Sequence, residues 1–367
     1  MMEKENISLA QLLTLLINFL LGSAIVVGVG TDAQNDAWIA IMISSFLGIG
    51  IVFFFHYLNS RLPGKNLYQI IEFCLGRKIA IVLSFFYVVY FCYISSRVVR
   101  DFGELIASAI MPNTPIEIIS LTFSLLMAYV IYLGLEVIAR TSEIFTPYLF
   151  GFFLLVTIFL IMNGSVNLER IQPILGEGLM PVMKTVFTKL AFFPYGELIV
   201  FTVIFSNVTN KKYSLRIAMI GVAIASLLLL VSSVLMIGTL GIDSVQRSNF
   251  PLLSTVRNVS IGKFIERIDA LAVFIMMLGI FVKGNIFLFG GLKGLEYIFN
   301  LPFRYFVLPI SVLVALFSVL VSIDFADHIQ EGLQMVPLYL HLPFQFCIPG
   351  LIFLIVIWKQ RKGNKVK

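Results

Sequence analysis

The 367 residues are 59% hydrophobic and only 13% charged, with a mean hydropathy of +0.99, whereas soluble domains are about half apolar and a quarter charged. A water-soluble globular fold is therefore excluded, and residues 1–367 read as a single all-α transmembrane domain with no length left for a sizeable soluble one. The net charge of +6 is scattered over short loops and the tail, which excludes a basic nucleic-acid-binding face, and the three cysteines, Cys74, Cys92 and Cys347, show neither a disulfide framework nor a metal spacing and are expected to be buried and inert.

Apolar runs of about 20 residues predict spanning helices, and ten such runs follow one another at 8–29, 36–58, 79–108, 116–138, 144–163, 181–206, 215–240, 268–290, 303–323 and 336–358. No removable signal peptide is expected, because the N-terminus lacks a basic region, a short apolar core and a cleavage site. The first span opens on Ser8-Leu9-Ala10-Gln11, a candidate capping box. A short interfacial helix is expected over 67–76, the third span is long enough to tilt or project, and the eighth can continue towards residue 299. The segments 164–180 and 241–267 are expected to be ordered external loops.

Lys and Arg concentrate in alternate loops and in the tail, at Lys359, Arg361, Lys362, Lys365 and Lys367, while the 31–36 and 324–331 loops are acidic. Ten spans with both termini in the cytoplasm satisfy this asymmetry.

Two spans are interrupted. Phe193-Pro194-Tyr195-Gly196-Glu197 sits near the middle of the sixth. Pro194 removes a helical hydrogen bond, Gly196 tolerates unwound backbone, and Glu197 is a carboxylate where lipid is expected. Gly22-Ser23-Ala24, followed by Gly28 and Gly30, marks the first span at the matching position half a chain earlier. Broken helices in corresponding places of two halves point to inverted repeats, here about 8–163 and 181–358, with a binding site at the midplane. Backbone amides at such breaks suit a carboxylate, and Glu197 suits an ammonium. A structural pairing of Glu197 with Lys or Arg, or a protonated acid, is the other reading.

Tyr87, Tyr90 and Tyr93 share one broad face of the third span. They either pack there or offer a hydroxyl, Tyr90 foremost, to a ligand carboxylate. Arg97, Arg100, Asp101 and Glu104 are expected to pair at the outer rim, and Glu136 with Arg140 at the end of the fourth span. Glu266, Arg267 and Asp269 suit the start of the eighth span. Lys283 lies deep in the eighth span, where it either snorkels to the interface or fills a cation site beside the first span. His56, His328 and His341 have no metal partner set, and no catalytic serine context, phosphate loop or cofactor motif is visible, so an enzyme is not indicated.

Taken in order, Ile7-Ser8-Leu9-Ala10-Gln11-Leu12, Leu21-Gly22-Ser23-Ala24, Ala37-Trp38-Ile39-Ala40, Leu62-Pro63-Gly64-Lys65-Asn66-Leu67, Gly134 to Arg140, Pro173 to Gly178, Phe193 to Glu197, Glu266-Arg267-Ile268-Asp269 and Phe281-Val282-Lys283 cover nearly the whole chain. As a set, this resembles the B subunit of bacterial spore germinant receptors, a branch of the amino acid–polyamine–organocation transporter superfamily. The resemblance implies the leucine-transporter fold, with two inverted five-helix repeats and broken helices one and six. It also implies a nutrient-sensing subunit, usually for an amino acid, in the spore inner membrane beside a membrane-anchored A subunit and a lipoprotein C subunit. The Gly22–Ala24 and Phe193–Glu197 breaks then correspond to the binding centre, and Lys283 to a cation-site surrogate. A proton-coupled amino-acid transporter is the alternative on the same residues.

Overall fold

The computed structural model describes residues 5–257 and 269–363. Glu266, Arg267 and the basic residues Lys365 and Lys367 lie outside the described residues. In a hydrocarbon medium each backbone donor must find its acceptor within the chain, which leaves helices as the natural solution. Among the described residues no strand forms, and an isolated parallel bridge joins Ile7 to Val208.

The first half contains α1 (Leu9–Val27), α2 (Ala37–Ser60), the short α3 (Leu67–Leu75), α4 (Arg77–Ala109), α5 (Ile116–Leu133) and α6 (Leu135–Met162). The sixth span, Leu179–Asn207, is interrupted. It runs as α7 (Leu179–Thr185), a π-wound stretch (Val186–Tyr195), a tight turn (Gly196–Val200) and α8 (Phe201–Ile204). Then come α9 (Lys211–Leu240), the short loop helices α10 (Ile242–Arg247) and α11 (Pro251–Arg257), α12 (Asp269–Phe299), α13 (Arg304–Leu320) and α14 (Phe325–Gln334). The last span is π-wound over Pro337–Cys347 and continues as α15 (Ile348–Gly363). Among the described residues nine helices are long and apolar enough to cross a membrane, and α13 makes a tenth when joined to α14, from which it is bent by 101°.

The middle of the bundle is set by burial. The apolar windows of α1, the interrupted span and α12 are 72%, 83% and 78% buried, against 22% in α6 and 28% in the last span. α1 lies against α12, α9 and α6, and α12 lies along α4. Small residues permit the closest approach: a Cβ added to Gly279 of α12 would stand 2.9 Å from the Gly22 nitrogen of α1.

Several expectations hold. Gln11 donates its amide to Ser8 Oγ at 3.1 Å while the Gln11 side chain accepts from the Ser8 amide at 2.9 Å, completing the capping box. α3 occupies the 67–76 segment, and α12 reaches Phe299. The boundary between the fourth and fifth spans differs. Gly134, with φ 108, takes left-handed backbone that ends α5, and α6 begins at once at Leu135. Glu136 and Arg140, 3.9 Å apart, therefore open the fifth span rather than close the fourth. Glu136 there accepts the Asn6 amide at 3.0 Å, a favourable place for an acid.

Residues 5–8, before α1, are tied down. The Ile7 amide donates to the Asn207 carbonyl at 3.0 Å, the Thr209 amide to the Ile7 carbonyl at 3.1 Å, and Glu5 lies 3.9 Å from Arg304. Burial pushes the Glu5 carboxyl up, with Lys293 pulling it back. Cys74 is buried, and burial pushes its thiol up to about 11. Cys347 is exposed, contrary to the expectation of buried thiols, on a last span whose apolar window is only 28% buried.

Candidate functional site

Both interruptions point at the centre of the bundle. α1 leaves helical geometry at Gly22, with φ −7 and ψ −116. The sixth span leaves it at Phe193, with φ −130 and ψ 119, immediately before Pro194. Where the breaks meet α4 and α12 there is a cavity of about 50 Å³. A water needs about 10–15 Å³ on this measure, so the cavity has room for a few waters and not for an amino acid. The centre of the molecule is closed.

Its floor is an ion pair. Lys283 Nζ lies 2.6 Å from Glu197 Oε2, with the two side chains 0% and 3% exposed. Among the described residues neither atom has a polar partner beyond this contact. The ammonium also sits 4.3 Å from the Phe193 ring centre and 5.6 Å from that of Phe19, within cation–π range. Lys283 does not reach the interface. Its stem runs over Gly22, where an added Cβ would stand 2.7 Å from Lys283 Cδ. Both charges are in a medium that penalises them, so each depends on the other; removing one partner of such a pair typically costs about 3–5 kcal/mol.

The remaining sequence-derived residues fall into two layers. Ser23 and Phe193 line the cavity with Glu197 and Lys283, and Ser23 Oγ is buried without a partner among the described residues. Gly22 underlies Lys283, and Ala24 is buried within α1. Tyr90 stands one layer behind: its hydroxyl bonds His341 Nδ1 at 2.8 Å and accepts from Gln345 Nε2 at 2.9 Å. Gly196 lies beneath the Gln345 side chain. Tyr195 turns away from the cavity. Its ring fills the space left by Gly48 of α2, and its hydroxyl bonds Ser226 Oγ at 2.8 Å. The tyrosine stripe faces the last span and α14, with Tyr87 donating to the Phe344 carbonyl at 2.9 Å and Tyr93 to Glu331 at 3.3 Å.

Sequence reasoning missed the roof. α14 folds across the cavity and is held by α4. Arg97 Nη1 pairs with Glu331 at 3.0 Å, Arg97 also donates to the His328 carbonyl, and His328 Nε2 lies 2.9 Å from Asp101 Oδ1. Arg100 pairs with Glu104 at 2.8 Å, as expected of the rim. Arg97 and Asp101 differ, because both line the cavity. Val27, Ile329 and Leu333 border the cavity below and an outer vestibule of about 410 Å³ above. They form an apolar plug between the two. His341, which looked like a lone boundary histidine, also lines the cavity. The sequence signal for the roof was the acidic 324–331 loop; nothing local links it to α4. Among the described residues no group of His, Cys, Asp and Glu could hold a metal ion.

Residues 6–326 are matched by the family described as Spore germination protein. The chain is 33% identical to Spore germination protein KB of Bacillus subtilis (strain 168), over 100% of this chain and 98% of that one. It is 27% identical to Spore germination protein A2 of the same organism, over 90% and 88% of the two chains. It is 26% identical to Spore germination protein XB of Bacillus anthracis, over 70% of each. Among solved structures it superposes on MhsT in complex with L-phenylalanine with a TM-score of 0.71 at 12% identity, covering 96% of this chain and 89% of that one. It superposes on Mhp1, a nucleobase-cation-symport-1 family transporter in a closed conformation with bromovinylhydantoin bound, with a TM-score of 0.67 at 14% identity, covering 95% and 78%. At these identities the likeness shows the fold alone, which is the leucine-transporter arrangement of inverted five-helix repeats with broken first and sixth helices.

Proposed function

The chain belongs to the spore germination protein family, and on that premise we propose that it is the nutrient-sensing B subunit of a germinant receptor. Its ligand is a small nutrient of the amino-acid class, taken up at the midplane between the broken spans, with Gly22, Ser23, Ala24, Phe193, Gly196 and Glu197 around it and Tyr90 and Tyr195 behind. Partners are an A subunit and a lipoprotein C subunit in the spore inner membrane, and both termini face the cytoplasm. One observation carries the reading: a cavity of about 50 Å³, too small for its ligand, closes over a buried Lys283–Glu197 pair where the two breaks meet. A ligand can enter only by favouring a more open state, and that differential affinity is what shifts a two-state equilibrium. Partner subunits read the shift.

The second reading is a proton-coupled amino-acid transporter, favoured by the transporter fold and by an ionisable residue deep in a span. Spores lacking this gene alone, screened against single nutrients, are expected to lose response to one class. Vesicles containing the full chain are then expected to show no time-dependent uptake of that nutrient. Uptake that follows an imposed proton gradient would establish the transporter instead, and an undiminished response to every nutrient would remove the receptor reading.

A further inference from the structure

We propose that the Lys283–Glu197 pair is the recognition element for a zwitterion, which inserts between the two charges. Its carboxylate takes the Lys283 ammonium, and its ammonium takes the Glu197 carboxylate. This rests on the sensing reading above and assigns the ligand's two charges to side chains of this protein rather than to helix ends.

The pair leaves hydrogen-bonding capacity unused. An ammonium has three donors and a carboxylate about four acceptor sites, yet among the described residues Lys283 Nζ and Glu197 Oε2, 2.6 Å apart, have no polar partner beyond each other. Both are buried in the cavity wall, beside Ser23 Oγ, which has no partner among the described residues. A brace built only for stability would be expected to satisfy these groups. The other cavity charges are engaged, Arg97 by Glu331 and Asp101 by His328. What remains is one positive and one negative group engaged with each other, adjacent and neutral in sum. A ligand bearing one charge would pair with one of them and leave the other buried alone. A zwitterion replaces the pair without leaving a charge over, and it engages donors and acceptors that the closed pair leaves unused. The Phe193 ring, 4.3 Å from Nζ, and the space over Gly22 keep the lysine stem in place while its tip changes partner.

The test uses the full chain in lipid nanodiscs and the shift in its unfolding temperature on adding each of the twenty L-amino acids. Each one that stabilises is compared with its decarboxylated amine and its deaminated acid, both smaller than the parent. Both derivatives are expected to bind about a hundred-fold more weakly or worse, because each strands a buried charge. Either derivative binding as well as the zwitterion would overturn the proposal while leaving the sensing reading intact. Stabilisation by none of the twenty would overturn the amino-acid reading and the proposal with it. The exchanged double variant, Glu197→Lys with Lys283→Glu, keeps a pair but reverses its direction. It is expected to fold to wild-type level and to lose zwitterion binding. Wild-type affinity in that variant would show a static brace. If it does not accumulate, the derivative series decides alone.

Discussion

Single residues decide the geometry of the site, and glycines do so by what they lack. Gly22→Ala would bring a methyl group 2.7 Å from Lys283 Cδ and 3.3 Å from the Gly279 carbonyl. The expected loss is about 1–3 kcal/mol, as for overpacking generally, read as a lower unfolding temperature. Gly50→Ala, with nothing within 4 Å of the new methyl group, is expected to be neutral within about 0.5 kcal/mol. Equal effects at the two positions would contradict the packing described here. The ion pair is tested by a mutant cycle. Lys283→Met leaves Glu197 buried without its partner and is expected to cost about 3–5 kcal/mol, while Lys283→Met with Glu197→Leu recovers most of that loss. A double variant as unstable as the single one would mean that the charges do not depend on each other. Glu197 was legible in the sequence, because an acid deep in an apolar run has few explanations. That Lys283 is its partner was not, since the pairing comes from how α12 crosses the interrupted span.

Elements supply the closure. α14 covers the cavity through contacts to α4 that are separated by more than two hundred residues, so local pattern placed its residues in an acidic loop and gave no sign of a lid. The same locality explains the boundary error between α5 and α6. Glu136 and Arg140 read as the end of the fourth span, whereas Gly134 makes the turn and those charges sit on the new helix. A cysteine at position 23, with the native cysteines replaced, reports on the lid, since Ser23 is only 3% exposed. Its reaction with a small polar thiol reagent is expected to be slow, and Glu331→Gln should speed it about fivefold by removing a partly buried ion pair worth about 1 kcal/mol. An unchanged rate would show that the Arg97 contact does not hold α14 shut. At the other end, Ser8→Ala removes the cap on α1 and should cost about 1 kcal/mol.

The whole molecule was the most legible scale. Apolar length, the two interruptions and basic loop asymmetry were enough for ten spans and broken first and sixth helices, because the membrane leaves the backbone little choice. The site was half legible: the breaks and Glu197 lie in single segments, while Arg97, Asp101, His328 and His341 converge only through the tertiary fold. The proposed orientation, with both termini in the cytoplasm, rests on the basic tail. A cysteine placed at Asn364, which lies outside the described residues, is expected to label only after permeabilisation, and ready labelling from outside would reverse the assignment of sides. The central claim is that nutrient acts in the cavity of this chain. Ser23→Val addresses it most directly, because it replaces a buried hydroxyl that has no partner among the described residues with apolar bulk, which breaks no hydrogen bond, while it narrows a cavity of only about 50 Å³. The measurement is the nutrient concentration giving half-maximal germination in spores carrying this variant as sole copy, alongside its protein level. The account predicts a rise of about tenfold or more, equivalent to about 1.4 kcal/mol, at unchanged protein level. An unaltered dose response would place the ligand elsewhere and contradict it.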